Sequence, residues 1–354
     1  MAFIGTIFKR FKSTTTMPVL TAERLVRLAY KYPALHDSWY LIACACLTVV
    51  NQPHEIPKVY HFALRQQLLE STSGEECLLT NKFLIKLAQD SISSSEKYQD
   101  LSAVGVNLPD ILIPYSYFDK LPLQFKYSKG DDIHAEQSTI SAKFREVILK
   151  SAALSGLPKA INALMLLKGV TPTSMKAANI PERAQIVNPG HVRSSSIVLE
   201  DIEGTRFEEP TNLITEDTID GPISAESFNL NELKKDLVRG SNFWNTIYTN
   251  KVNVRIKRQM VNTYPDLWYF AYHHVYSPLL SFTDILSARE TSMCIVASLI
   301  PQDVNPQLKG HLRGAVNVGV TKEELEQLRL LVFDICDWSG GVHWKLGKDG
   351  VAKL

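Results

Sequence analysis

Residues 287–324 read SARETSMCIVASLIPQDVNPQLKGHLRGAVNVGVTKEE, and their punctuation decides the fold class. Ser287 followed three residues on by Glu290 is a capping box, in which the hydroxyl and the carboxylate satisfy helix N–H groups that have no intrahelical partner. The helix it opens runs through Met293, Val296, Ala297 and Ile300 and stops at Pro301. Asn305 is expected to cap a second helix with Pro306 at its first position, and Gly319 stands where a left-handed C-terminal turn is needed. Thr321 and Glu324 form a second capping box, opening a helix that buries Leu325, Leu328, Val332 and Ile335. Three consecutive helices are thus placed by their ends.

Working outward, the same signals recur. An apolar helix runs from about Trp39 toward Val50 and ends at Asn51-Gln52-Pro53; Ile56-Pro57 opens another through Leu69. Residues 141–168 form a long apolar pattern broken at Gly156-Leu157-Pro158, the mark of two helices meeting at a corner. Between 171 and 230 the character changes: prolines recur at 172, 181, 189, 210 and 222, and acids crowd in from Glu200 to Glu226. That stretch reads as a linker or long surface excursion. Helical patterning resumes at Asn231 and runs almost to Trp338. A faint repeat relates the two sides: Gly169-Val170-Thr171 matches Gly319-Val320-Thr321, and Ser141-Ala142-Lys143 matches Ser287-Ala288-Arg289. The expected organisation is all-α, with a helical half over 18–170, a linker over 171–230, a second helical domain over 231–345 and a flexible tail over 346–354.

Bulk properties narrow the function classes. The 354 residues, 45% of them hydrophobic, are enough to bury a substantial core, and 38 Lys plus Arg against 37 Asp plus Glu leave no general field for nucleic acid. Five cysteines, none in a Cys-x-x-Cys, suit a reducing compartment rather than a disulfide framework. No apolar run reaches the ~18 residues of a membrane span. No P-loop, dinucleotide fingerprint or metal-ligand spacing occurs, so no cofactor and no metal is expected. His273 and His274 are adjacent on a helix and point about 100° apart, which is poor geometry for joint metal binding. Trp268, Tyr269, Tyr272 and Tyr276 line the core or roof a pocket.

Both ends carry address-like chemistry. Residues 1–17 hold Lys9, Arg10, Lys12, several apolar residues and a Ser-Thr-Thr-Thr run with no acid, the composition of a mitochondrial presequence or of a plain basic terminus. The chain finishes Ala352-Lys353-Leu354, a variant of the Ser-Lys-Leu signal that a peroxisomal import receptor reads as a free C-terminal tripeptide. The expected location is the peroxisome, and the basic N-terminus adds the mitochondrion as a second destination.

In the second of the three opening helices, Leu308, Leu312, Ala315 and Val316 form an apolar face, with His311 at its inward edge between Gly310 and Gly314. Two glycines there imply close approach of another backbone or a ligand. The Glu290 helix start, then Pro306 through Ala315, Asn317-x-Gly319 and Thr321 through Glu324, resemble the carboxymuconolactone decarboxylase family within the AhpD-like superfamily. The whole chain, with its Ala-Lys-Leu end, looks like a fungal peroxisomal member. The resemblance implies an AhpD-like helical bundle, a homo-oligomer and acid–base chemistry on a small carboxylated or lactone substrate through His311. The AhpD-type peroxidases use a cysteine pair, and the corresponding positions here are Val304 and Gln307, so a two-thiol disulfide cycle is not expected. Cys294 alone remains for a thiol peroxidase.

Other readings stand beside these. Glu290 is already accounted for as a cap, His311 as a satisfied core histidine and Cys294 as a small buried apolar residue. The fold without the chemistry would be a helical scaffold or interaction protein. If the Glu290 and His311 helices are antiparallel about Asp303, the two residues are offset by five positions, about 7 Å along the axis, so a water relay with Cys294 alongside is expected rather than direct contact.

Overall fold

The computed structural model describes residues 18–72, 80–113, 133–177, 183 and 229–354. The expected presequence and most of the acidic linker lie outside the described residues. Within them the chain is all-α, with twelve α-helices, one π-helical segment and no strand. In chain order the helices are α1 Ala22–Tyr30, α2 Trp39–Val49, α3 Ile56–Thr72, α4 Asn81–Ala103, α5 Ile133–Ser155, α6 Leu157–Val170, α7 Leu230–Ile247, α8 Asn250–Thr263, α9 Pro265–Phe270, α10 Ala288–Leu299, α11 Asn305–Asn317 and α12 Lys322–Ser339.

Helix α2 is the hub. All eleven of its residues are buried, so it has no solvent face; the run is apolar but for Thr48, whose hydroxyl donates to the Cys44 carbonyl at 2.8 Å. It packs against α3, α5, α10 and α12. One continuous core therefore draws on both ends of the chain, from Val19 to Val351. Arg27 of α1 is held bidentately by Asp334 of α12, at 3.0 Å for each N–O pair, and the Tyr32 hydroxyl donates to the same carboxylate at 2.6 Å.

The caps work as the chemistry of their residues predicts. Ser287 and Thr321 each accept from the backbone three residues on, and Glu290 and Glu324 reach back to complete both capping boxes. The corner between α5 and α6 is made at Gly156, whose φ of +92° suits only glycine, and Gly319 takes +93° after α11. One detail differs. Asn305 is the first residue of α11 rather than its cap, and its side-chain oxygen accepts from the Ala352 N–H at 2.6 Å. The last residues are thereby fastened: Val351 is buried, Trp344 Nε1 donates to the Ile300 carbonyl, and Lys353 and Leu354 stand exposed.

Past α9 the helix widens into a π-helical segment over Ala271–Leu280. Pro278 lies inside it and has no N–H to contribute to a helical ladder, which is a local reason for the departure from α-geometry. This segment lies along α7, so closely that a Cβ on Gly240 would come within 2.6 Å of Ser277 Cα.

Candidate functional site

Helix α5 lies against α10, and it turns Lys143, Glu146 and Lys150, spaced for one helical face, toward that neighbour. At the outer end Lys143 Nζ donates to Glu290 Oε1 at 2.6 Å. The other carboxylate oxygen of Glu290 accepts from the Ser287 N–H at 2.9 Å and its hydroxyl at 2.8 Å. Burial pushes the Glu290 carboxyl up, but the Lys143 and Ser287 hydrogen bonds outweigh it and leave the group below the usual glutamate range. Both side chains keep access to solvent, 23% for Lys143 and 17% for Glu290, so this pair is the outer face of the cluster.

Beneath it the chemistry is sealed. Lys150 is only 2% exposed, and its ammonium donates to the Phe282 carbonyl at 2.6 Å and the Thr291 hydroxyl at 2.8 Å, with Glu146 at 3.6 Å. Burial pulls its amine down to about 8, with Glu146 working in the other direction. Glu146 is equally buried and also pairs with Arg183, whose Nε donates to the Pro278 carbonyl. Cys294 lies one turn from Glu290 and is buried. Its thiol is pushed up to about 12, first by burial and then by the negative charge of Glu290, against the pull of Lys150 and Lys143. Such a thiol is protonated at neutral pH and a poor nucleophile. Cys44 of α2 is raised by burial as well, with Cys294 adding to it.

His311 belongs to a different neighbourhood. Its Nε2 shares a hydrogen bond of 3.1 Å with the Tyr248 hydroxyl, which in turn lies 3.0 Å from the Tyr276 hydroxyl. Trp244 covers both tyrosines, with ring centroids 4.4 and 4.5 Å away, and is itself oriented by Nε1 donating to Asn253 at 2.7 Å. Burial pulls the imidazole down to about 4 and pushes both phenols up, so the three groups form an uncharged chain at neutral pH. The close approach anticipated from the paired glycines is made at Gly314, where a Cβ would come within 2.6 Å of Ile247 Cγ2; at Gly310 the nearest atom, on Tyr248, is 3.6 Å away.

The structure thus brings Glu290 and Cys294 together with three charged residues of α5 and partners His311 with tyrosines instead. Lys143, Glu146 and Lys150 were missed in sequence because charges at helical spacing normally mark a solvated face. The available signal is Lys150 itself, the one charge in a stretch from Val147 to Leu154 that is otherwise apolar but for Ser151.

No protein-family profile matches the chain. It is 37% identical over 336 residues to Peroxisomal protein 2 of Saccharomyces cerevisiae, an alignment covering 95% of this chain and 99% of that relative. The chain belongs to the Peroxisomal protein 2 family. A second relative of that name, from Schizosaccharomyces pombe, is 43% identical over 97 residues, which is 27% of this chain and 45% of the relative. The family is named for the peroxisome, and among the described residues no helix is long and apolar enough to cross a membrane. No solved structure matches.

Proposed function

We propose that this chain is a peroxisomal matrix protein of the carboxymuconolactone decarboxylase-like kind, performing acid–base chemistry on a small carboxylated or lactone substrate. The observation that carries the enzymatic reading is the burial of Lys150 and Glu146 beneath the half-open Lys143–Glu290 pair. Buried charges are costly, and apolar residues would fill the same space without that cost, so their presence calls for a task. Lys143 is the group for a substrate carboxylate, and capturing one would release Glu290 to move a proton. His311, held neutral with a free-energy preference for the uncharged form, is the imidazole that the family resemblance puts forward as acid or base, with Tyr248 and Tyr276 able to pass its proton on. Cys294, kept as a thiol, speaks against a peroxidase cycle. The test is turnover of a panel of lactones and carboxylated acids by the purified full chain. Glu290→Gln and His311→Asn should each reduce turnover by ~100-fold or more. No turnover by the unaltered chain, together with an unchanged host metabolite profile in His311→Asn cells, would refute it.

A second reading, a helical scaffold without chemistry, is favoured by one observation: His311, Cys294 and Lys150 are each no more than 9% exposed. The same panel decides between the two. For delivery, we assign import to Ala352-Lys353-Leu354, whose last two residues stand free. Deleting the three residues from a fluorescent fusion should leave it outside peroxisomes. Attaching residues 1–17 alone to a reporter tests the mitochondrial arm, and light scattering of the purified chain tests the homo-oligomer that the family resemblance implies.

A further inference from the structure

Among the described residues, the exposed large aromatics all lie along the α8–α9 tip, which packs against α7 and the π-helical segment. Every residue from Val261 to Leu267 is exposed, and so are Tyr269 and Phe270. Tyr264, Tyr269 and Phe270 each leave more than half of their surface in water, at 59%, 54% and 58%. Three large aromatics left this open within seven residues of sequence are uncommon on a surface that meets only water. The tip is also braced from below. Trp268 stacks on Tyr272 at 5.2 Å with a 10° interplanar angle, meets Trp244 edge-on at 5.0 Å, and has the Lys257 ammonium 5.1 Å from its ring centre. The aromatics facing outward therefore stand on a fixed base.

Charge singles out the same region. Between residues 240 and 283 the only acid is Asp266, against Lys251, Arg255, Lys257 and Arg258, in a chain whose overall net charge is +1. Arg255 and Arg258 are exposed on α8, and neither makes an ion pair with any described residue.

We propose that the α8–α9 tip is a membrane-surface anchor that seats the protein on an anionic lipid bilayer. Tyrosine, phenylalanine and leucine beside arginine are the groups that partition into the headgroup region, where rings meet acyl chain ends and cations meet phosphates. A second copy of this chain is the poorer occupant, because an isologous contact would bring the basic surfaces face to face. The contact is peripheral, with Leu267 and Phe270 entering the interface and Arg255 and Arg258 meeting the headgroups. It is separate from the α5–α10 cluster and from any activity there.

Flotation of the full-length protein with vesicles tests this. Mixed phosphatidylcholine–phosphatidylserine vesicles should carry the protein, and phosphatidylcholine alone should not. Raising the salt should release it. Leu267→Ser with Phe270→Ser should weaken binding by ~10-fold or more, and Arg255→Gln with Arg258→Gln by about 30-fold at ~1 kcal/mol per charge. All four positions are exposed, so circular dichroism and melting of these variants should match the parent. The proposal is overturned by equal affinity for neutral vesicles, by no vesicle binding, or by variants that bind as the parent does. It is equally overturned if Phe270→Ser abolishes self-association or capture of an acidic peptide while vesicle binding is absent.

Discussion

Lys143 Nζ lies 2.6 Å from Glu290 Oε1 although the two residues are 147 positions apart, and the same carboxylate closes the capping box at the start of α10. One acid thus fixes where a helix begins and to which neighbour it is fastened. Removing it should cost both functions. Glu290→Ala is expected to destabilise the fold by about 1–2 kcal/mol, most of it from the lost cap, while Lys143→Met should cost under ~1 kcal/mol because the pair is partly hydrated. Urea unfolding of both variants and of their combination measures the coupling.

Lys150 offers a pH test with a definite sign. Burial holds its folded amine at about 8 against an ordinary 10.5, so between those values the unfolded chain holds more protons than the folded one. Its contribution to stability therefore rises with pH across that window. Lys150→Met should flatten the slope of the unfolding free energy between about pH 8 and about pH 10. Glu146→Leu, which leaves the Lys150 ammonium buried without its carboxylate, should destabilise by ~3–5 kcal/mol at neutral pH.

His311 gives the opposite end of the scale. With a folded value of about 4 against 6.5, the imidazole stays neutral in the fold after it has protonated in the unfolded chain. Its contribution is fully present above pH 6.5 and is lost as the pH falls toward 4. His311→Gln should remove that component from an acid titration of thermal stability. Tyr248→Phe, which deletes the hydroxyl between His311 and Tyr276, should cost ~1–3 kcal/mol.

The two glycines of α11 should part company. Gly314→Ala drives a methyl against Ile247 and is expected to destabilise by ~1–3 kcal/mol, whereas Gly310→Ala meets only ordinary contact with Tyr248 and should gain up to ~1 kcal/mol from helix propensity. Melting temperatures moving in the same direction would contradict the packing described for this helix.

Cys294 should resist modification. A buried thiol raised to about 12 is almost wholly protonated at neutral pH, so labelling by iodoacetamide should wait on unfolding. Rapid labelling in native buffer would show that the site opens.

What could be read in sequence and what could not divides along a physical line. Ser287, Glu290, Thr321, Glu324, Gly156 and Gly319 act on backbone groups within four residues of themselves, so the helix ends they define were legible. The apolar run of α2, interrupted only by Thr48, announced a buried helix for the same reason. Glu290, Thr291 and Tyr248, which partner Lys143, Lys150 and His311, lie far off in sequence, and no local period encodes which segment turns toward which. Asn305 shows the boundary well: its chemistry suits a cap, but a tail residue 47 positions later claims its oxygen.

The position of α2 has a consequence for how the chain comes into being. Eleven consecutive residues that tolerate no water are made early, while α10 and α12, which cover much of them, end at residues 299 and 339. A nascent chain made from its N-terminus must carry this sticky segment, incompletely sheltered, through most of its synthesis. Completion of the core is therefore a late event, and a chain truncated before α12 is expected to be a client of chaperones rather than a stable half-protein.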